Sequence, residues 1–170
     1  MKFLILCAFS IVLVQLGACT KFNAQKIGDR TVFLNMDEKE NWADALESCK
    51  RYNLTLVSIL SAKEQRELNN VVPGNPDVWI GGYKRDKVWR WINDGEPMSY
   101  TSWSAGEPNS LEDDNENCVH LTSWDEGNWN DVRCSDRNFY ICEFVKPPGS
   151  LLQKAEDLYK TVSQYYRSKY

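Results

Sequence analysis

Glu107-Pro108-Asn109, then Glu116, then Trp129-Asn130-Asp131, with Cys118 and Cys134 close by, is the stretch that decides how this chain is read. It gathers side-chain oxygens at two separated places in the sequence. Hard cations such as calcium take about six to eight oxygen ligands, and carboxylate and amide side chains supply them. A Glu-Pro-Asn turn places two such oxygens on one short, stiff run of backbone. From residue 93 to residue 117 the composition turns to Gly, Pro, Asn, Ser and acids. A stretch this long without its own secondary structure inside a compact domain is functional or disordered. The embedded Trp103 and the cysteine on the far side argue for a packed, functional loop.

Working outward, the 170 residues fit one domain with room for a real core. A balance of 20 basic against 24 acidic residues, net charge -4, argues against a nucleic-acid partner. Lys2 followed by the apolar run Phe3 to Leu16 reads as a secretory signal, too short for a comfortable membrane span. Cleavage after Cys19 leaves Thr20 as the mature start and four cysteines, an even number in a secreted domain. Cleavage after Ala18 instead leaves Cys19 as a fifth thiol, and Leu16-Gly17-Ala18-Cys19 also fits a bacterial lipoprotein box. The expected organisation is a signal peptide over 1–19, one domain over 20–145 and a helical extension over 146–170, with no membrane insertion once the leader is removed.

Within the domain, Thr31 to Leu34 reads as a short outer strand. Asn41 caps a helix with apolar positions Trp42, Ala45, Leu46, Cys49 and Tyr52. Leu56 to Leu60 reads as a buried strand. Ser61 with Glu64 has capping-box spacing and opens a second helix running to about Asn70, which Val71-Val72-Pro73-Gly74 ends. Val78 to Gly81, Val88 to Ile92, Cys118 to Thr122 and Phe139 to Phe144 read as further strands. Asn53-Leu54-Thr55 is an acceptor triplet for N-linked glycan, with a bare helix-ending turn as the other reading of Asn53. Past Lys146-Pro147-Pro148-Gly149, the stripe Leu151, Ala155, Leu158, Val162 and Tyr165 spans barely two heptads. It reads either as a helix packed on its own domain or as a homo-oligomer contact, and an isolated helix of this length is marginal.

These motifs, with Trp79-Ile80-Gly81-Gly82 and Cys49, Cys118, Cys134 and Cys142 in the same order, resemble the C-type lectins, extracellular domains that bind sugars through calcium. The resemblance runs roughly from Lys26 to Val145. It implies an α+β fold: two helices packed on small antiparallel sheets, a long calcium-binding loop and two disulfides. Four cysteines permit three pairings and the sequence alone does not choose. The resemblance implies Cys49 with Cys142 and Cys118 with Cys134, and the absence of a further pair near the front matches the short form.

The resemblance also implies a ligand set. Glu107, Asn109, Glu116, Asn130 and Asp131 would coordinate calcium and would also contact the sugar. Two neighbouring hydroxyls complete the shell, donating to carboxylates and accepting from amides. Glu-Pro-Asn goes in the family with equatorial 3- and 4-hydroxyls, as in mannose, whereas galactose binders usually carry Gln-Pro-Asp; Pro108 is expected to be cis. Two departures stand out. The segment from Asn109 to Glu116 is one residue longer than in mannose-binding members, with Glu112, Asp113 and Asp114 crowding it. Ser110 and Asn117 stand where acids hold a second calcium elsewhere, so that site is expected to be weak or absent.

The tryptophans Trp79, Trp89, Trp91, Trp103 and Trp129 are read as core or loop anchors, and Trp124 is kept as a candidate sugar contact. His120 reads as a strand residue without an accompanying nucleophile, so an enzyme is not expected. The function implied is a secreted, glycosylated, calcium-dependent lectin for mannose-type glycans, with pathogen recognition a common role. The rival reading is the same scaffold binding a protein or a mineral matrix, with calcium serving structure only.

Overall fold

The computed structural model describes residues 22–110, 115–125 and 127–145. The segment expected to be a signal peptide, the expected helical extension and Glu112 to Asp114 lie outside these residues, together with the expectations placed on them. In chain order the elements are β1 (Asn23–Ile27), β2 (Arg30–Glu40), α1 (Trp42–Lys50), β3 (Leu54–Leu56), α2 (Ala62–Val71), β4 (Val78–Arg85), β5 (Val88–Trp91), β6 (Cys118–Leu121), β7 (Trp129–Val132) and β8 (Asn138–Phe144).

The strands form one connected sheet in the order β1-β2-β8-β4-β6-β7, with β3 added to β8 and β5 to β4. The α+β expectation holds. The small antiparallel sheets become a single mixed one, because β4 runs parallel to β8 while the other pairs are antiparallel. Successive side chains of a strand point to opposite faces, and both faces of the central strands are covered. Val78, Ile80, Val119, Leu121 and Ile141 enter a core with Leu68 of α2. Trp79, Cys118, Tyr140 and Cys142 enter the other with Trp42, Ala45, Leu46 and Cys49 of α1. Gly81 is required where layers meet: a Cβ there would stand 2.8 Å from the Leu56 carbonyl oxygen.

Several local readings are corrected by tertiary pairing. The run over Thr31 to Leu34 is part of an eleven-residue strand and not the outer one, since β1 lies outside it. The strand read from Leu56 to Leu60 is instead β3 at Leu54–Leu56. Beyond it Val57 donates to Ile141 O (2.9 Å) and accepts from Gly81 N (2.8 Å), so extended backbone bridges two strands without a ladder of its own. Asn41 caps α1 as expected, accepting from Asp44 N at 2.9 Å. The capping box at α2 is half made. Ser61 Oγ accepts from Glu64 N (3.2 Å), but Glu64 accepts from Leu60 N (2.8 Å) and from Arg30. Asn53 sits exposed at φ 57°, the left-handed turn after α1, while Leu54 and Thr55 are buried.

Both implied disulfides are present, Cys49–Cys142 with Cα atoms 5.7 Å apart and Cys118–Cys134 at 5.1 Å. A second tie is polar. Glu143, 2% exposed, pairs with Arg30 and accepts from Ser58 N at 2.8 Å, and Arg30 also reaches Glu64 (2.7 Å) and Ser58 O (3.0 Å). Removing one member of a buried pair strands the other charge. Arg30→Leu is therefore expected to destabilise the domain by about 3 kcal/mol, read as a lowered urea midpoint, with Arg30→Lys recovering part of the loss.

Candidate functional site

The site is assembled on β7, by segments that approach from one side. The run 102–104 lies parallel to the start of β7: Trp129 N donates to Ser102 O (2.8 Å) and Ser104 N to Trp129 O (2.9 Å). A turn then brings Glu107 N back onto Ser104 O at 3.0 Å. Gly106 takes φ +90° in that turn, a conformation that favours glycine. The Glu107–Pro108 peptide is cis, as the resemblance implied.

Asp131 is the centre of the arrangement. It is 1% exposed, and its two carboxylate oxygens accept from Asn109 N and Ser110 N, each at 3.0 Å. The turn that carries two expected ligands is thus held by a third. Asn109 Nδ2 donates to Glu107 Oε1 at 2.9 Å. Burial first, then hydrogen bonding and repulsion from Asp131, push the Glu107 carboxyl above its ordinary range, and Glu116 adds to the rise.

Glu107, Asn109 and Asp131 are therefore brought together, Asn130 stands beside Asp131 on β7, and Glu116 is near enough to act on Glu107 through charge. Among the described residues no three His, Cys, Asp or Glu side chains stand together as a metal cluster. The site relies on amide oxygens as well as carboxylates. Two acceptors, Glu107 Oε2 and Asn130 Oδ1, are buried without a hydrogen-bond partner. A buried oxygen left unpaired costs roughly 1–3 kcal/mol, and two such acceptors beside repelling carboxylates are what a hard cation would satisfy. The residues present fit calcium.

Lys84 is a residue that sequence reading missed. Its Nζ donates to Ser110 Oγ at 2.9 Å, and its backbone N donates to Asn117 O at 2.8 Å. One residue of β4 so holds the positions following Asn109 and Glu116. An ammonium at Ser110 disfavours a further cation at that position. No local pattern marks Lys84, because its role arises from sheet order. Ser102 and Ser104 were equally illegible, since they hold β7 through backbone atoms, with Ser102 Oγ adding a bond to Asn128 Oδ1 at 3.0 Å.

The remaining aromatic and histidine readings sort by burial. Trp79, Trp91 and Trp129 are core, Trp89 and Trp103 pack against it with rings 5.0 Å apart, and Trp124 is 61% exposed. His120 is buried beside Trp79, 3.3 Å from Asn138 Nδ2, and burial lowers its pKa. It is a packed strand residue.

Comparison with known proteins agrees with this architecture. The family model for the lectin C-type domain matches residues 38–144. A perlucin-like protein of Mytilus galloprovincialis is 33% identical over 117 residues, covering 65% of this chain and 73% of that protein. L-selectin of Mus musculus is 33% identical over 68% of this chain, which spans only 33% of its length. Among solved structures, the mouse scavenger receptor C-type lectin carbohydrate-recognition domain superposes with a TM-score of 0.65 at 29% identity, covering 73% of this chain and 96% of that one. The C-type lectin domain of murine dendritic cell inhibitory receptor 2, solved with an N-glycan, gives 0.64 at 31%, over 72% and 96%. A calcium-independent type II antifreeze protein gives 0.63 at 27%, over 72% and 91%. With a family model matched over more than half its length, and with the fold and both disulfides in agreement, the chain belongs to the C-type lectin domain family.

Proposed function

We propose that this chain is a secreted, calcium-dependent carbohydrate-binding domain that takes mannose-type glycans through Glu107, Asn109, Glu116, Asn130 and Asp131. The observation that carries this reading is the pair of unpartnered buried oxygens, Glu107 Oε2 and Asn130 Oδ1, set beside the Asp131 bracket. Bound calcium would supply a positive centre able to accept two neighbouring sugar hydroxyls as ligands. Around it the carboxylates of Glu107 and Glu116 accept hydrogen bonds from those hydroxyls, and the Asn109 and Asn130 amides donate to them. The Glu107-then-Asn109 order supports equatorial 3- and 4-hydroxyls. Lys84 supports a stoichiometry of one calcium per chain.

The deciding experiment is retention on mannose resin in calcium and elution by chelator. Glu107→Gln with Asn109→Asp is expected to move preference toward galactose on a glycan array; an unmoved preference would place selectivity in other contacts. The rival, a scaffold for a protein or mineral ligand, draws support from the calcium-independent antifreeze neighbour. It predicts no retention on any sugar resin, with calcium present or absent.

A pH dependence follows from Glu107. Calcium needs the carboxylate ionised, and a raised pKa lets protons compete at a less acidic pH than for an ordinary glutamate, near ~4.3. The metal-free folded chain holds this proton more tightly than the unfolded chain does. Its stability contribution is therefore present at low pH and lost as pH rises through the raised value. Calcium offsets the loss, so the calcium-induced rise in melting temperature is expected to be larger at neutral pH than in acid. A melting temperature indifferent to calcium and chelator at both pH values contradicts the reading.

A further inference from the structure

Gln65, on α2, has its amide fully engaged inside the protein at 4% exposure. Its Oε1 accepts from the Trp129 indole Nε1 at 2.6 Å. Its Nε2 donates to Gly127 O (2.9 Å) and to Asn69 Oδ1 (2.7 Å). One donor facing one end and two acceptors facing the other fix which atom is oxygen and which nitrogen. The amide therefore grips the chain on both sides of Asn128, directly before Asn130 and Asp131.

The Trp129 ring has little other freedom. It meets Trp91, Tyr100 and Trp103 edge-on, with centroids 5.5, 5.8 and 5.7 Å away. Its N–H is its one hydrogen-bond donor, and Gln65 takes it. The close fit extends to Gly127, where a Cβ would stand 2.7 Å from Asn69 Oδ1. Helix α2 contributes none of the proposed ligands, yet its Gln65 and Asn69 fix where the entry to β7 lies.

We propose that Gln65 is a positioning residue for the metal site: by holding Trp129 and Gly127 it sets the backbone from which Asn130 and Asp131 reach calcium. The inference rests on the calcium reading above. A displaced strand end separates the Asn130 oxygen and the Asp131 bracket from the Glu107–Asn109 turn, and a shell of rigid oxygen ligands loses affinity when its members shift. A purely structural amide would lower stability and leave the affinity of the folded chain unchanged.

Calorimetric titration of the mature chain with calcium alone, well below the melting temperature, separates these. Gln65→Met, close in size but without any of the three bonds, is expected to weaken calcium binding roughly fivefold, about the worth of one hydrogen bond. Gln65→Glu keeps the acceptor for Trp129 and loses the donor, and is expected to fall between it and the native chain; it also serves if Gln65→Met fails to fold. Leu46→Ala, in the α1-side core, should lower the melting temperature with the calcium Kd unchanged. Native-like calcium Kd in the folded Gln65 variants overturns the positioning role. A native chain that takes up no calcium overturns the calcium reading itself, and is distinguished because it is seen before any substitution is made.

Discussion

Asp131→Ala is expected to abolish calcium uptake and sugar binding together while the domain stays folded. The carboxylate is buried and has two tasks. It is a proposed ligand, and it accepts from the backbone N–H groups of Asn109 and Ser110. Truncation removes charge from the shell and leaves two donors without their acceptor, each worth roughly 1.5–3 kcal/mol when the partner is charged. The Glu107–Asn109 turn loses its anchor at the same moment. The combined loss corresponds to a calcium affinity reduced by more than about a hundredfold. Both hydrophobic cores and both disulfides lie outside this bracket, so circular dichroism should retain the native spectrum. Retention of Asp131→Ala on mannose resin would remove the assignment. Asp131→Asn keeps the shape and one acceptor oxygen, and should hold the turn better than it holds calcium.

Loss of the Cys49–Cys142 bridge should have the largest effect on stability. It joins α1 to β8 across 93 positions of sequence, and both cysteines are fully buried. Chain-entropy reasoning assigns such a closure about 4–5 kcal/mol, a large part of the roughly 5–15 kcal/mol that holds a domain of this kind. The Cys49→Ala, Cys142→Ala double variant is therefore expected to melt about 15–25 °C lower. Cys118–Cys134 closes only 16 positions, for about 3 kcal/mol in the same treatment. It joins the start of β6 to the residues just after β7, next to Glu116 and Asp131. Its removal should weaken calcium binding more than its stability loss alone accounts for. Melting scans with and without calcium separate the two bridges: the calcium-induced rise should survive in the first variant and shrink in the second.

How far the sequence could be read depends on the range of the interaction behind each feature. Helix α1 was legible because its cap and apolar spacing act within a few residues: Asn41 finds Asp44 N, and Trp42, Ala45, Leu46 and Cys49 share a face. Strands β4, β6 and β8 announced themselves through runs buried on both faces. The oxygen-rich residues were legible as chemistry, since carboxylates and amides in that number have few other uses in one loop.

What local pattern could not supply is which of those groups meet. That Glu64 turns to Leu60 N and Arg30 was settled by the neighbouring strand, because a half-buried guanidinium competes for the same carboxylate. That β4 pairs with β6 was settled by sheet order, and with it goes the place of Lys84 beside Asn117 and Ser110. Asp131 became the bracket of the Glu107–Asn109 turn only because 102–104 pairs with β7, which sets two stretches more than twenty residues apart side by side. The sequence by itself determined the family, the oxygen chemistry and the helices, whose causes are local or compositional. Tertiary structure alone decided the bracket at Asp131, the clamp at Lys84 and the grip of Gln65 on Trp129, because hydrogen bonds between distant segments depend on register and on burial, and neither is written in any one stretch of chain.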